Sequence, residues 1–445
     1  MNFKTTAIAT ICTLSVVFSS IASATNGMFL IGYGAKSRAM GGVGIGYTQD
    51  GIGNQMNPAG ITNVGVNAMR VDLDAILFRP IRRSGVPDPR TDPDNIGNLV
   101  RYQSGSNLFI IPAMGAIYKF NRKMYIGFSF VGAGGGQTRF TDLSPIGFNF
   151  LNPAGRTDVS DTLGVSLNQA QMSLSLAYKV NKSHSLAASP VFGVQQFRAY
   201  GLGVFKPRST DPDNLTGRGN DYAYGAGARL GYQGKLTDWL TIGAAYQSRI
   251  YFTKFDKYKG LFAEQGSLDT PEKLGAGLSI QPMKKLTIAF DWERTLYSNI
   301  KAIGLPIENS ADPECFLGAN CGAGFGWGDQ DVFKVGLKYQ LTPKWDVMLG
   351  FNYAEVPMPD DQLLFSTLAP AVTEQHATMG AVYRQSKSME WTLAYVHAFK
   401  NTEKGLAESG GQFDQFFPNK DLTGPGPVEL EMYQDSLEVG FSYKL

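Results

Sequence analysis

Charge is scarce in this chain. Asp, Glu, Lys and Arg together make up 18% of its 445 residues, with a formal net charge of +2. That balance excludes a dedicated nucleic-acid binder, which needs a basic surplus. Histidine is scarcer still, at three residues, too few for a multi-histidine metal centre. Cysteine also numbers three, and Cys12 lies in an N-terminal leader, leaving Cys315 and Cys321 in "ECFLGANC". In an exported, oxidising setting this pair reads as a loop disulfide. A lone Cys-x5-Cys lacks the two further ligands of a zinc site, so neither metal nor cofactor is expected. Beyond the leader no apolar run reaches 18 residues, which excludes a transmembrane helix.

The leader itself is legible. Lys4 precedes an apolar run from Ala7 to Phe18, followed by the small residues Ala22, Ser23 and Ala24. This is the three-part pattern of a secretory signal peptide, residues 1–24, with the mature chain starting near Thr25.

The mature chain is dominated by a period of two. In "NQAQMSLSLAYKV", Ala170, Met172, Leu174, Leu176 and Tyr178 share one face, while Gln169, Gln171, Ser173, Ser175 and Lys179 share the other. "WDVMLGFNY" and the terminal "SLEVGFSYKL" alternate in the same way. Such segments predict strands near 68–78, 108–120, 124–134, 168–180, 185–197, 221–233, 238–250, 270–281, 285–297, 330–340, 344–354, 374–384, 388–399 and 433–445. The connections alternate between short turns, such as "NRK" at Asn121 and "LTPK" at Leu341, and long stretches such as Gly135–Leu167. An even count of roughly ten-residue strands with turns of two lengths predicts an all-β fold. It is a 14-stranded antiparallel transmembrane β-barrel of a Gram-negative outer membrane, over residues 67–445. Closure also lets a moderately polar chain cross lipid, because every backbone group finds a partner. Tyrosines at strand ends (Tyr178, Tyr232, Tyr246, Tyr339, Tyr353 and Tyr443) suit an interfacial girdle, which a soluble β-protein would not need.

Residues 25–66 do not fit the pattern. They are glycine-rich yet carry Met28, Phe29, Leu30, Ile31, Met40, Ile45, Ile52, Met56 and Ile61, too apolar for a solvated tail. A plug in the barrel lumen is expected.

Leader, plug, "NPAG" just before the first strand, and fourteen strands together resemble the FadL/TodX-type outer-membrane transporters of long-chain fatty acids and aromatic hydrocarbons. "GAAYQS" (Gly243–Ser248), "HATMGAVYR" (His376–Arg384) and the final "VGFSYKL" add to the likeness, which spans the mature chain. The resemblance implies a hatch at residues 25–66 whose N-terminus, Thr25 and Asn26, lies close to ligand, and whose signature is Asn57, Pro58 and Ala59. It implies a lateral opening at an inward kink of the third strand, passive transport, and exit into the outer leaflet. Two positions depart from the family pattern. The chain ends in Leu445 rather than an aromatic, and Met56 stands where some fatty-acid members carry Arg.

Candidate sites follow. In the third strand, Gly132, Gly134, Gly135 and Gly136 mark a bend or close backbone approach, the lateral gate by resemblance. Ile146, Phe148, Phe150 and Leu151 form an apolar cluster in the following long loop, a candidate for ligand capture. A second "NPAG", Asn152–Gly155, ends that cluster and needs no role beyond a turn. Strand parity points Arg70, Asp72, Asp74, Arg229, Asp291, Glu293, Lys334 and Lys338 inward. A buried fatty carboxylate needs a cationic partner, for which Arg70 and Arg229 are the candidates; a hydrocarbon needs none. An enzyme is not expected: His184 falls near a short turn, and parity sends His376 and His397 to opposite faces, so no triad converges. An open porin for polar solutes is the competing reading, disfavoured by the plug. The partners expected are a hydrophobic small-molecule ligand, outer-membrane lipid and, during biogenesis, the barrel-assembly machinery, with the chain a monomer and no nucleic acid bound.

Overall fold

The structure, a computed structural model, describes residues 26–87, 99–141, 162–407 and 426–445. The expected signal peptide, Thr25, the loop residues Ile146, Phe148, Phe150 and Leu151, and the second "NPAG" lie outside them.

Fourteen antiparallel strands form one closed sheet. They are β1 (Met69–Pro87), β2 (Phe109–Lys119), β3 (Met124–Gln137), β4 (Gly164–Lys179), β5 (His184–Tyr200), β6 (Asp221–Lys235), β7 (Leu240–Gln247), β8 (Lys273–Met283), β9 (Leu286–Thr295), β10 (Gln330–Gln340), β11 (Trp345–Ala354), β12 (Gln375–Arg384), β13 (Met389–Ala407) and β14 (Gly426–Lys444). Each pairs with its sequence neighbour, and β14 pairs with β1 to close the seam, from Arg70 opposite Lys444 to Gly85 opposite Glu429. Two short strands lie off the ring: Leu99–Gln103 pairs with the end of β1, and Tyr251–Phe252 pairs with β6. No helix among the described residues is long and apolar enough to cross a membrane.

The alternation seen in the sequence is the alternation of the wall. Leu73, Leu77, Leu174, Leu176, Leu349, Leu393, Leu437 and Val439 are exposed on the outside, while Asp72, Ser173, Ser175, Asn352, Thr392 and Glu438 are buried toward the lumen. Trp345 packs at a tilt against Tyr383, and Trp391 against Phe441, near the short-turn rim, where an aromatic girdle belongs. Strands β1, β13 and β14 run 19 residues each, well past the 68–78, 388–399 and 433–445 spans read from hydrophobic period. Their distal parts pair with one another beyond the apolar belt, where no lipid demands alternation.

Residues 26–66 fill the lumen. One turn of helix (Ala35–Arg38) and two short 3-10 helices (Ile52–Gln55, Pro58–Asn63) are almost wholly buried. Polar wall side chains hold their backbone. Asp74 accepts the Ala35 N–H at 2.6 Å, Asp72 the Gly51 N–H at 2.8 Å, and Asp291 those of Gly44, Ile45 and Gly46 at 2.6, 2.8 and 3.0 Å. Lys36 pairs with Glu390 at 2.8 Å and Arg38 with Glu438 at 3.0 Å, both buried. Asn57 is saturated: its amide donates to the carbonyls of Ile45 (2.8 Å) and Tyr232 (2.9 Å) and its oxygen accepts the Ala59 N–H (3.1 Å). Pro58 then opens the 3-10 helix at a position that needs no N–H. A side chain at Gly231 would meet the Asn57 oxygen at 2.4 Å, so glycine in β6 is what lets the Asn-Pro-Ala segment reach the wall.

Candidate functional site

The wall is interrupted on one side. β2 and β3 pair only as far as Ala113 opposite Val131; beyond that, Phe109–Pro112 face β1 alone and Gly132–Gln137 face β4 alone. Pro112, which has no N–H to donate, sits on that free edge. On its other side β3 slips register against β4 between Gly132 and Gly134, leaving Ala133 as a bulge. The bulge bends the strand inward, and Val131–Gly136 are all buried. Gly135 has φ +145°, and a Cβ there would meet the Leu167 carbonyl at 2.1 Å.

The inward-bent backbone is met by the plug. The Gly135 N–H donates to the Met28 carbonyl at 2.8 Å, Phe29 bridges Gly134, and the Tyr33 hydroxyl donates to the Ala133 carbonyl at 2.8 Å. Asn26 and Phe29 close a tight turn on each other through Gly27, whose φ is +59°. Tyr297 anchors that turn: its hydroxyl accepts the Met28 N–H at 3.0 Å and donates to the Asn26 carbonyl at 3.2 Å. Burial pushes the Tyr297 phenol well above its usual range, so it stays a donor. Phe29 stacks on Tyr297 with centroids 6.1 Å apart, and the Lys273 ammonium lies 3.6 Å from the Phe29 centroid.

Beside this turn lies a cavity with about 950 Å³ of empty space. Met28, Gly135 and Gly136 form its floor toward the bend in β3, and Phe197, Phe205, Phe262, Trp327, Phe365 and Leu368 are among its walls. Among the described residues no charged side chain lines it. Most of the wall comes from the long connections, which fold over the barrel mouth as short helical turns packed into one apolar cluster. Cys315 and Cys321 are disulfide-bonded at the edge of that layer. A second, smaller space of about 420 Å³ lies on the other side of the Asn26–Phe29 turn, lined by Phe29, Tyr33, Gln171, Arg229, Lys273 and Glu293. Met28 thus faces the apolar space and Phe29 the polar one.

The two cations singled out for a fatty carboxylate sit differently. Arg70 does not fit that role: its guanidinium is clamped by Asp72 at 2.8 Å, with Ser442 at 2.9 Å and Glu390 at 3.5 Å, at the short-turn end of the barrel. Asp72 and Glu390, which also bind Gly51 and Lys36 of the segment in the lumen, already neutralise it. Arg229 donates to Ser173 at 3.0 Å and to Gln247, makes no ion pair among the described residues, and opens onto the polar space only. Lys273 and Lys334 share Glu293, at 3.3 and 3.7 Å. His376 is buried in the lumen beside Gln434, whereas His397 pairs with Asp435 on the outer face. Tyr297, Trp327 and Phe365 were not singled out by sequence; they sit in loops with no period to mark them.

A fourteen-stranded barrel with polar lumen, apolar outer belt and occluded interior is an outer-membrane barrel of the plugged class. The chain belongs to the outer membrane protein transport family (OMPP1/FadL/TodX), whose profile matches residues 15–414, and it is an outer-membrane transport protein. That family is one of transport channels, not of enzymes. Among solved structures it is similar to the Pseudomonas putida toluene transporter TodX, at 16% identity over 94% of this chain and 99% of that one, TM-score 0.66. It is likewise similar to the Ralstonia pickettii toluene transporter TbuX (18%, 94% and 99%, TM-score 0.61) and to a Pseudomonas aeruginosa FadL homologue (15%, 94% and 99%, TM-score 0.66). No curated protein matches by sequence.

Proposed function

We propose that this protein carries neutral hydrophobic small molecules of monoaromatic or short-alkane size into the outer membrane by facilitated diffusion. The observation that carries this reading is that the described lining of this apolar cavity holds no charged side chain. A fatty carboxylate held there would be buried without a partner, a cost of several kcal/mol. A seven-carbon hydrocarbon gains about 6 kcal/mol from burial, at roughly 0.8 kcal/mol per carbon. Toluene is what TodX and TbuX are described as transporting, which agrees with this class of cargo. In this reading residues 26–66 act as the hatch, the loop layer captures the ligand, and the break between β2 and β3 is the lateral exit.

The test is uptake by cells expressing this protein in a host without another such transporter. Labelled toluene is expected to accumulate above the empty-vector rate, and labelled palmitate is not. Palmitate uptake exceeding that of toluene would overturn the neutral-cargo reading. A large steady ionic current through the intact chain in planar bilayers would favour the porin instead.

The hatch assignment has its own test. Deleting Asn26–Met28 removes the Met28 carbonyl that accepts the Gly135 N–H, leaving a buried backbone donor that costs about 1–3 kcal/mol, and strips the anchor of the turn on Tyr297. The bent strand then loses its support, and toluene uptake is expected to fall to background while the barrel stays folded. Unchanged uptake would remove the N-terminal turn from the mechanism.

A further inference from the structure

The outer face of the seam carries a feature that transport does not use. Beyond the apolar belt, the long ends of β1, β13 and β14 and the short strand Leu99–Gln103 present a ladder of ions. Glu431 is bound by Arg83 at 2.7 Å and Lys400 at 3.2 Å; Glu429 is bound by Arg101 at 2.8 Å and Lys404 at 3.7 Å. Four cations therefore share two carboxylates.

The two signs are not equally presented. The Glu429 and Glu431 side chains are only 7% and 13% exposed, whereas those of Arg83, Lys400, Arg101 and Lys404 are 38%, 61%, 58% and 72% exposed. The carboxylates lie beneath and fix the positions of the cations, so the surface offered outward is cationic. Arg79 adds a further exposed cation two outward rows nearer the belt, opposite the Asp435 that binds His397.

The height of the ladder is set by the strands. Tyr443 marks the short-turn rim, and Glu431 lies twelve residues along the same strand. At about 3.4 Å per residue and a tilt of about 40°, this is a climb of roughly 30 Å, against an apolar band about 25 Å tall. Between them the outward row is Phe441, Val439 and Leu437, and at the distal end it becomes Asp435, Tyr433, Glu431 and Glu429. The four cations stand at the level of the outer headgroups, turned toward lipid rather than into the lumen.

We propose that this face of the seam is a docking surface for the phosphates of a multiply phosphorylated glycolipid of the outer leaflet. Charge complementarity selects that partner. Exposed guanidinium and ammonium groups on two neighbouring rungs bind several phosphates of one headgroup, where a zwitterionic lipid would bring its own amine against them.

Native mass spectrometry of the detergent-extracted, full mature protein tests this with bisphosphorylated lipid A, chemically dephosphorylated lipid A and phosphatidylethanolamine as probes. Bisphosphorylated lipid A is expected to bind best. Each cation near an anionic headgroup contributes roughly fivefold, so the quadruple variant Arg83→Gln, Arg101→Gln, Lys400→Gln, Lys404→Gln is expected to lose at least about tenfold in affinity. The pair Lys400→Gln, Lys404→Gln, at the two most exposed positions, covers the case in which the quadruple variant does not fold, and is expected to lose at least about fivefold on the same basis. Equal binding of the dephosphorylated lipid, or unchanged binding by the folded double variant, overturns the proposal. Complete displacement of lipid A by inorganic phosphate overturns it too, since that would be a general phosphate site and not a lipid one.

Discussion

Asp291→Ala is expected to turn a closed barrel into one that conducts ions. Asp291 projects from the wall at β9 and accepts three consecutive plug N–H groups, from Gly44, Ile45 and Gly46, all buried. Charge-assisted bonds of this kind are about twice as strong as neutral ones. Removing the acceptor leaves three buried donors unpaired at about 1–3 kcal/mol each. The sum, on the order of 3–9 kcal/mol, is comparable with the net stability of a whole domain. The plug has no other wall carboxylate within reach of these three groups among the hydrogen bonds described, so this stretch should detach. Planar-bilayer recording is expected to show frequent large openings in the variant and quiet baselines in the parent. Asp291→Asn, which keeps one acceptor oxygen, should fall between them. A variant as quiet as the parent and equally heat-resistant would show that the plug is held elsewhere.

The second large effect is expected from filling the cavity where it meets the wall break. Ala369 lines the cavity, and its Cβ would lie 3.7 Å from a Cβ built on Gly136. Ala369 is only partly buried, so a larger side chain can enter the cavity without displacing packed neighbours. In Ala369→Trp the indole buries up to about 250 Å² in the space a monoaromatic ligand would use. Toluene uptake is expected to drop by at least about tenfold, the equivalent of losing only about 1.4 kcal/mol of a burial gain of about 6 kcal/mol. Ala369→Ser, which adds little volume, serves as the control and should transport normally. Full uptake by a folded Trp variant would move the path away from this cavity.

Much of the fold was legible because the wall separates two solvents. Every residue of a membrane-crossing strand must choose lipid or lumen, and the choice is printed as alternation: Leu174 and Leu176 against Ser173 and Ser175 is enough to orient β4. The glycine run of β3 was legible too, since four glycines within Gly132–Gly136 need an explanation in backbone geometry. What could not be read were features set by partners distant in sequence. Arg70 was placed inward by parity beside Asp72, but parity alone does not show that the two clamp each other, and its further partners Glu390 and Ser442 are more than 300 residues away. Asp74 and Asp291 were placed inward by parity, but nothing local says that they grip backbone N–H groups. The cavity walls were the least visible. Tyr297, Trp327, Phe365 and Leu368 come from long loops that pack on each other, and loop packing has no period.

The helical turn Ala35–Arg38 bears on how the molecule holds its shape under stress. Through Asp74, Glu390 and Glu438 it is bonded to β1, β13 and β14, the first strand and the last two. Those strands include the one junction in the ring that joins chain ends instead of neighbours. The turn therefore acts as an internal clasp across the closure, with two buried ion pairs and a carboxylate-to-amide bond on its inner side. Pulling this turn out would strip the junction of those three inner contacts and leave it to its own backbone ladder, from Arg70 opposite Lys444 to Gly85 opposite Glu429.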